Sequence, residues 1–257
     1  MNAQQQFVAF KTIFRKEVRR YTRIWPQTLL PSAITMSLYF VIFGSLIGER
    51  IGEMGGFTYM EFVVPGLIMM AIVTNSYSNV VSSFFGAKFN HSVEELLVSP
   101  TPNYVILMGY VLGGVSRGLL VAVIVTGVSL FFTDLRIHSI GVVVIGVFLT
   151  SVLFALAGFI NAVFANSFDD ISIIPTFVLT PLIYLGGVFY SLDMLPDFWA
   201  LVSKLNPLVY VVNAFRYGVL GVADVSVEFA FGMLGFFTLV AFCYCMYLLN
   251  SGTRLRQ

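Results

Sequence analysis

Six apolar stretches, over about 26–48, 62–85, 104–132, 140–164, 171–190 and 229–249, leave this chain little choice of environment. Each approaches the roughly 20 mainly apolar residues that carry a helix across the hydrocarbon of a bilayer. The residues between them are too few to offset them: charged side chains make up 11% of the 257 residues, against about 25% in an ordinary soluble domain. A water-soluble fold has no way to keep 26 phenylalanines out of exposed patches. The expected fold class is therefore an all-α integral membrane protein with six transmembrane helices. Its length suits a single transmembrane domain, 1–257, without a separate catalytic domain. The chain starts polar, turns basic and shows no small-residue cleavage site after its first apolar run, so that run is expected to stay as an uncleaved anchor.

Lys and Arg in the connections set orientation. Lys11, Arg15, Lys16, Arg19, Arg20 and Arg23 precede the first span, Lys88 follows the second, and Arg254 and Arg256 follow the last. Six crossings put all of these on one side and Arg50, Arg136, Lys204 and Arg216 on the other. The bias predicts that both termini are cytoplasmic.

Residues 1–25 form an amphipathic segment. Phe7, Phe10, Phe14, Val18, Tyr21 and Trp25 recur every three or four residues and share one helical face, with the basic residues, Arg15 and Arg19 among them, on the other side. This pattern predicts an interfacial helix with its rings in lipid and its cations towards anionic headgroups. It serves either as an anchor or as a lever on the first span. Residues 191–222 are apolar but broken by Pro196, Pro207, Gly218 and Gly221, and they carry Asp193, Asp197, Lys204 and Arg216. The expectation is a helix–turn–helix dipping into the outer leaflet, with one broken seventh span as the alternative.

Chemistry inside the spans is sparse. There is no phosphate-loop signature. His91 and His138 fall on opposite sides of the membrane, no His, Cys and carboxylate residues have metal-ligand spacing, and no Ser-His-Asp grouping is available. Cys243 and Cys245 stand two apart on a helix and do not face each other. Glu61 and Arg117 are the ionisable candidates within spans, both expected to snorkel towards water or headgroups. Thr74, Asn75, Ser76, Ser78, Asn79, Ser82 and Ser83 cluster in the second span. With Asn161 and Asn166 they either line a path between subunits or bond neighbouring helices; Asn75, Asn79 and Asn161 are the path candidates. Glycines four apart (Gly44/Gly48, Gly109/Gly113, Gly114/Gly118) mark close helix approaches, and Pro175 and Pro181 are expected to kink the fifth span.

Three features resemble the type-2 ABC transporter permeases. One is the basic N-terminal helix leading into the first span. The second is His91-Ser92-Val93-Glu94-Glu95-Leu96-Leu97-Val98-Ser99-Pro100 within the connection 86–102, similar to that family's cytoplasmic coupling segment. The third is Leu195-Pro196, Leu205-Asn206-Pro207-Leu208 and Phe215-Arg216-Tyr217 before the last span, similar to its re-entrant helices. The resemblance covers nearly the whole chain. It implies a non-enzymatic subunit of an ATP-driven exporter in the bacterial cytoplasmic (inner) membrane. It further implies a homodimer docked on two separate ABC ATPase chains and moving a hydrophobic or amphipathic cargo, a lipid, glycan conjugate or drug. ATP and Mg would sit on the ATPase, with no cofactor in this chain; membrane lipid is a partner and nucleic acid is not. His91, Glu94, Glu95, Leu96 and Leu97 would contact the ATPase, with the two leucines as anchors and the two carboxylates selecting basic partners. From the residues alone this run reads first as an ordinary capped loop helix ended by Pro100. A carrier or channel driven by an ion gradient is the competing class, disfavoured by the scarcity of midplane charge.

Overall fold

The computed structural model describes residues 1–135, 137–252 and 254; Arg136 and Arg256, counted above for orientation, lie outside the described residues. The chain is helical almost throughout. Helix α1 (Ala3–Arg23) leads through α2 (Trp25–Thr28) to α3 (Leu30–Phe40), a π-helical turn Val41–Ile47 and α4 (Gly48–Ile51). A two-residue hairpin follows, β1 (Glu53–Met54) pairing antiparallel with β2 (Phe57–Thr58). Gly55 and Gly56 turn it with φ of +61° and +82°, values that favour glycine. Then come α5 (Tyr59–Phe89), α6 (Ser92–Val98), α7 (Asn103–Ser129) and α8 (Ile140–Phe164). The next segment is built from α9 (Asp170–Ile174), a π-helical turn Pro175–Leu179 and α10 (Thr180–Tyr184). Helices α11 (Asp197–Lys204), α12 (Pro207–Leu220) and α13 (Val227–Ser251) complete the chain.

Five stretches are long and apolar enough to cross a membrane unaided: Trp25–Gly44, α5, α7, α8 and α13. The expected fifth span is shorter, because its helix ends at Tyr184. Its contacts nevertheless run the length of α5. Phe168 meets Phe85 and Phe89 at one end, with centroids 5.0 Å from each. At the other end Tyr59 donates to the Phe189 carbonyl at 3.2 Å. From Gly66 to Phe85, α5 rises about 28 Å, close to the ~30 Å hydrocarbon thickness. The segment 168–189 therefore makes a sixth crossing, completed by turns beyond its helix.

The seventh-span alternative is excluded by one residue. The Asp224 carboxylate accepts from Ser191 Oγ at 2.8 Å and from the Leu192 amide at 3.0 Å. The chain thus enters and leaves α11–α12 at the same end, and the two helices meet at 88°. The local sequence builds this bend. Asn206 caps α12 by accepting from the Leu208 amide at 2.9 Å, and Pro207 occupies the first helical turn, where no amide partner is needed. The Asn206 amide also donates to the Leu182 carbonyl at 2.6 Å, holding the bend against α10.

Helix α5 is the central rod, with 83% of its apolar window buried. Small residues let its neighbours in. A Cβ on Gly114 would meet Val80 Cγ2 at 2.6 Å, one on Gly118 would overlap Ser76 Oγ, and one on Gly158 would lie 2.5 Å from the Tyr77 carbonyl oxygen. The expected Gly114/Gly118 approach thus seats α7 on α5, while Gly158, unnoticed in the sequence, seats α8. Lys88 ties α5 to the end of α8, donating to the Val163 and Ala165 carbonyls at 2.7 and 2.8 Å, where a cation also complements the helix dipole. Both chain termini lie at this end of the bundle: Tyr104 bonds Gln6 at 2.6 Å, and Asn103 bonds Asn250 at 2.8 Å.

Candidate functional site

At the end that carries the termini, α1 runs parallel to α7 and packs along it. Gln6 pairs with Tyr104, Ile13 fills the space beside Gly109, Glu17 lies against Gly113, and Tyr21 donates to Ser116 Oγ at 3.2 Å. The buried row of α1 is Ile13, Glu17 and Tyr21, four residues apart. Of the expected ring face, only Tyr21 is buried; Phe10 and Phe14 are half-buried and stacked at 6.0 Å, while Phe7 and Trp25 are exposed. The basic side is also divided. Lys11, Arg15, Lys16 and Arg19 are exposed, but Arg20 turns inward.

Arg20 belongs to a cluster missed in the sequence. Its Nη2 donates to the Asn79 carbonyl at 2.7 Å and to Asn79 Oδ1 at 2.8 Å, and its Nη1 to Ser82 Oγ at 3.3 Å. Glu17, fully buried, accepts from Ser83 Oγ at 2.6 Å and lies 3.6 Å from Arg20 Nε. Burial holds its carboxyl above the ordinary carboxylate value, against the opposing pull of Ser83, Arg20 and Lys16. The available signal was that Glu17 is the lone acidic residue before Trp25, on one helical row with Ile13 and Tyr21.

The predicted coupling segment is a short exposed helix on the same end. His91, at φ +58°, turns the chain out of α5, and its Nδ1 lies 3.2 Å from Glu94 Oε1. Glu95 is exposed and Val93 is buried. Leu96 and Leu97 do not project as free anchors: both are half-buried against the core. The outward apolar residue is Val98, 88% exposed. A seven-residue helix lying on α5 turns one face inward, and spacing from Val93 brings Leu96 and Leu97 onto that face.

The polar cluster of α5 separates into two rows. Asn75, Asn79 and Ser83 are buried and bind other helices. Asn75 accepts from Arg117 at 2.9 Å and donates to Ser32 Oγ at 2.9 Å, while Asn79 and Ser83 hold α1. Asn161 on α8 donates to the Ile171 carbonyl at 3.2 Å. The three path candidates Asn75, Asn79 and Asn161 are thus helix ties inside one chain. Thr74, Ser78 and Ser82, one residue earlier at each turn, form the outward row: Thr74 and Ser82 are exposed and Ser78 half-buried. Lipid-facing positions elsewhere are large and apolar, as at Leu38, Val123 and Leu239.

Arg117 does not snorkel. It is buried and donates to the Thr28 carbonyl and to Asn75, both at 2.9 Å, binding the start of the first span. Glu61 closes a capping box with Thr58 at the start of α5. Arg216, counted above as an outer-side charge, is fully buried. Its Nη2 donates to the Gly187 carbonyl at 2.6 Å, its guanidinium lies 3.8 Å from the Phe62 ring centroid, and its Nη1 is 3.8 Å from Asp224. Pro196 precedes α11, whose Phe198 and Leu201 are exposed. His138 lies at this far end, its backbone amide donating to the Val219 carbonyl at 3.1 Å, away from His91. No group of three His, Cys, Asp or Glu that could hold a metal ion occurs among the described residues.

Comparison with known proteins agrees with this geometry. A family model described as "ABC-2 type transporter" matches residues 8–220. The chain is 58% identical over 251 residues to the inner membrane transport permease YadH of Escherichia coli K12, covering 98% of each. It is 22% identical over 246 residues to nodulation protein J of Neorhizobium galegae, covering 95% of this chain and 93% of that protein.

Proposed function

This chain belongs to the ABC-2 type transporter family, a membrane subunit of a transporter rather than an enzyme, and from that premise we propose that it is the permease of an ATP-driven exporter. It works as a homodimer in the bacterial inner membrane, with both termini in the cytoplasm and two ATPase chains docked on the termini end. The observation that carries this reading is the outward row Thr74, Ser78 and Ser82 on an otherwise buried rod. Thr74 and Ser82 donate to carbonyls within α5 at 2.9 and 2.7 Å, so lipid burial would cost them little, but the row makes a polar stripe where the other outward faces carry large apolar side chains. A second copy opposite this row turns it into one wall of a polar path between subunits, which moves the path from the buried asparagines to the row beside them.

The coupling assignment rests on α1 and α6 sharing the termini end. Their exposed groups, Glu95 and Val98 on α6 with His91 just before it, and Arg15 and Arg19 on α1, offer mixed charge around an apolar contact. ATP and its Mg stay on the ATPase chains. The cargo is hydrophobic or amphipathic, with direction outward. A carrier driven by an ion gradient is disfavoured, because Arg117 and Glu17 are engaged in helix–helix contacts and neither lies on the outward row of α5.

The test is reconstitution in vesicles with and without the cognate ATPase, using Ser78→Cys for crosslinking. Expected are no ATP hydrolysis by the chain alone, ATP-dependent cargo movement with the ATPase, and a crosslinked dimer. Flux driven by an ion gradient without the ATPase, or a monomeric complex with no crosslink through the introduced thiol, overturns the proposal.

A further inference from the structure

Behind the fifth crossing lies a lateral crevice of about 390 Å³ between α8, the segment 170–184 and α13. We propose that it is a binding site for the acyl chain of a resident bilayer phospholipid, which packs the fifth crossing in place. Its walls are Leu153 and Phe154 of α8, Val178 and Leu179 of the fifth crossing, and Val240 and Ala241 of α13. Central α5 contributes only Tyr77, and the α12 bend contributes Pro207.

Three observations select the occupant. First, among the described residues the lining carries no charged side chain, and its polar side chains are Tyr77 of α5 and Tyr244 of α13, at its margins. A cargo site needs a few placed polar groups to choose its ligand, whereas an alkyl chain needs none. Second, the lining on each of α8, the fifth crossing and α13 extends over two helical turns, from Leu153 to Ile160, Ile174 to Leu182 and Phe237 to Tyr244. These positions lie within membrane crossings, where the surrounding solvent is acyl chain, and none of Thr74, Ser78 and Ser82 lines the crevice. Third, the crevice borders sparsely packed elements, the helical part of the fifth crossing and α13. Along 170–184 only Leu179 and Ile183 are buried, and Phe177 is 73% exposed. An empty apolar gap beside such a segment forfeits dispersion contacts that a chain in the gap restores.

The experiment uses the complete chain in vesicles of phosphatidylethanolamine and phosphatidylglycerol doped with a phospholipid carrying a mid-chain diazirine. After irradiation, peptides covering 153–160, 174–182 and 237–244 are expected to carry several-fold more adduct than the Val123 face of α7, which is equally open to lipid. Ala157→Phe and Ala241→Phe each fill the crevice and are expected to remove that excess, leaving the α7 adducts unchanged. Either variant suffices if the other fails to fold. Equal labelling of crevice and α7 face, or an excess that survives both substitutions, overturns the site. Loss of the excess during ATP-driven turnover with the partner ATPase identifies the occupant as cargo and overturns the assignment to a resident lipid. An unchanged excess supports it, and that arm is independent of whether the hydroxyl row forms the transport path.

Discussion

Replacing Glu17 with alanine unseats the N-terminal helix from α5. The substitution removes the acceptor of the Ser83 hydroxyl at 2.6 Å and the carboxylate 3.6 Å from Arg20. Breaking a fully buried ion pair costs about 3–5 kcal/mol. Here the cost is lower, because Arg20 is 28% exposed and keeps both Asn79 contacts. A hydrogen bond to a charged group contributes ~1.5–3 kcal/mol, which sets the expected loss at about 2 kcal/mol, a roughly 30-fold fall in the docked fraction at 1.4 kcal/mol per decade. Glu17→Gln keeps an oxygen for Ser83 and removes the buried charge, so its loss stays below about 1 kcal/mol. pH gives an internal control. Burial raises the docked carboxyl above its ordinary value of 4.5, so the docked state binds more protons than the undocked one. Docking is therefore strongest below that ordinary value, weakens as pH rises through the raised one, and is level above it; the glutamine variant loses this slope. Amide hydrogen exchange along residues 3–23 in nanodiscs reads the docked fraction. Exchange unchanged in the alanine variant, or glutamine as damaging as alanine, refutes the reasoning.

Gly158→Ala drives a Cβ to 2.5 Å from the Tyr77 carbonyl oxygen and is expected to cost about 1–3 kcal/mol by overpacking; Gly146→Ala, with open space around it, serves as the neutral control, both read by thermal unfolding in detergent. Asp224→Ala leaves Arg216 buried without its carboxylate and is expected to cost about 3 kcal/mol, more than Arg216→Met, which removes the charge and keeps much of the volume; the double variant should recover part of the loss in the same assay. On α6, Glu95→Lys combined with Val98→Asp should abolish copurification with the cognate ATPase while leaving the melting temperature unchanged, since both residues are exposed. A parallel fall in melting temperature would assign them to the fold instead.

Much of the bundle was legible because lipid simplifies the code: length and apolarity mark a crossing, and backbone bonding forces a helix. The fifth crossing was found by apolarity, but Pro175 and Pro181 helped break its helix into a short, π-turned piece. The Leu-Asn-Pro-Leu run announced its own bend, since Asn206 is a cap and Pro207 a helix start. Side-chain roles were harder to read. Thr74 and Asn75 are neighbours in sequence and equally polar, yet one faces outward and the other is buried. Near the middle of a helix, about 100° of rotation per residue decides that, and which side of the rod faces inward is set by where α1 and α7 pack. Arg117 and Arg216 misled for a related reason. A long cation reads as a surface charge until carbonyl partners such as Thr28 and Gly187, remote in sequence, come into reach.

The parallel seat of α1 along α7 has a consequence for the order in which the protein is made. The residues that receive the inward side of α1 come later in the chain: Asn79 and Ser83 on α5, Gly109, Gly113 and Ser116 on α7. Helix α1 is therefore made before anything it docks on: the α5 partners arrive with the second crossing, and the α7 glycines that complete the seat arrive only with the third. During that interval its cationic side and its rings have only the bilayer surface to hold them. The amphipathic pattern of residues 1–25 then describes a waiting position, and the Glu17 seat is among the last joints of this half of the bundle to close.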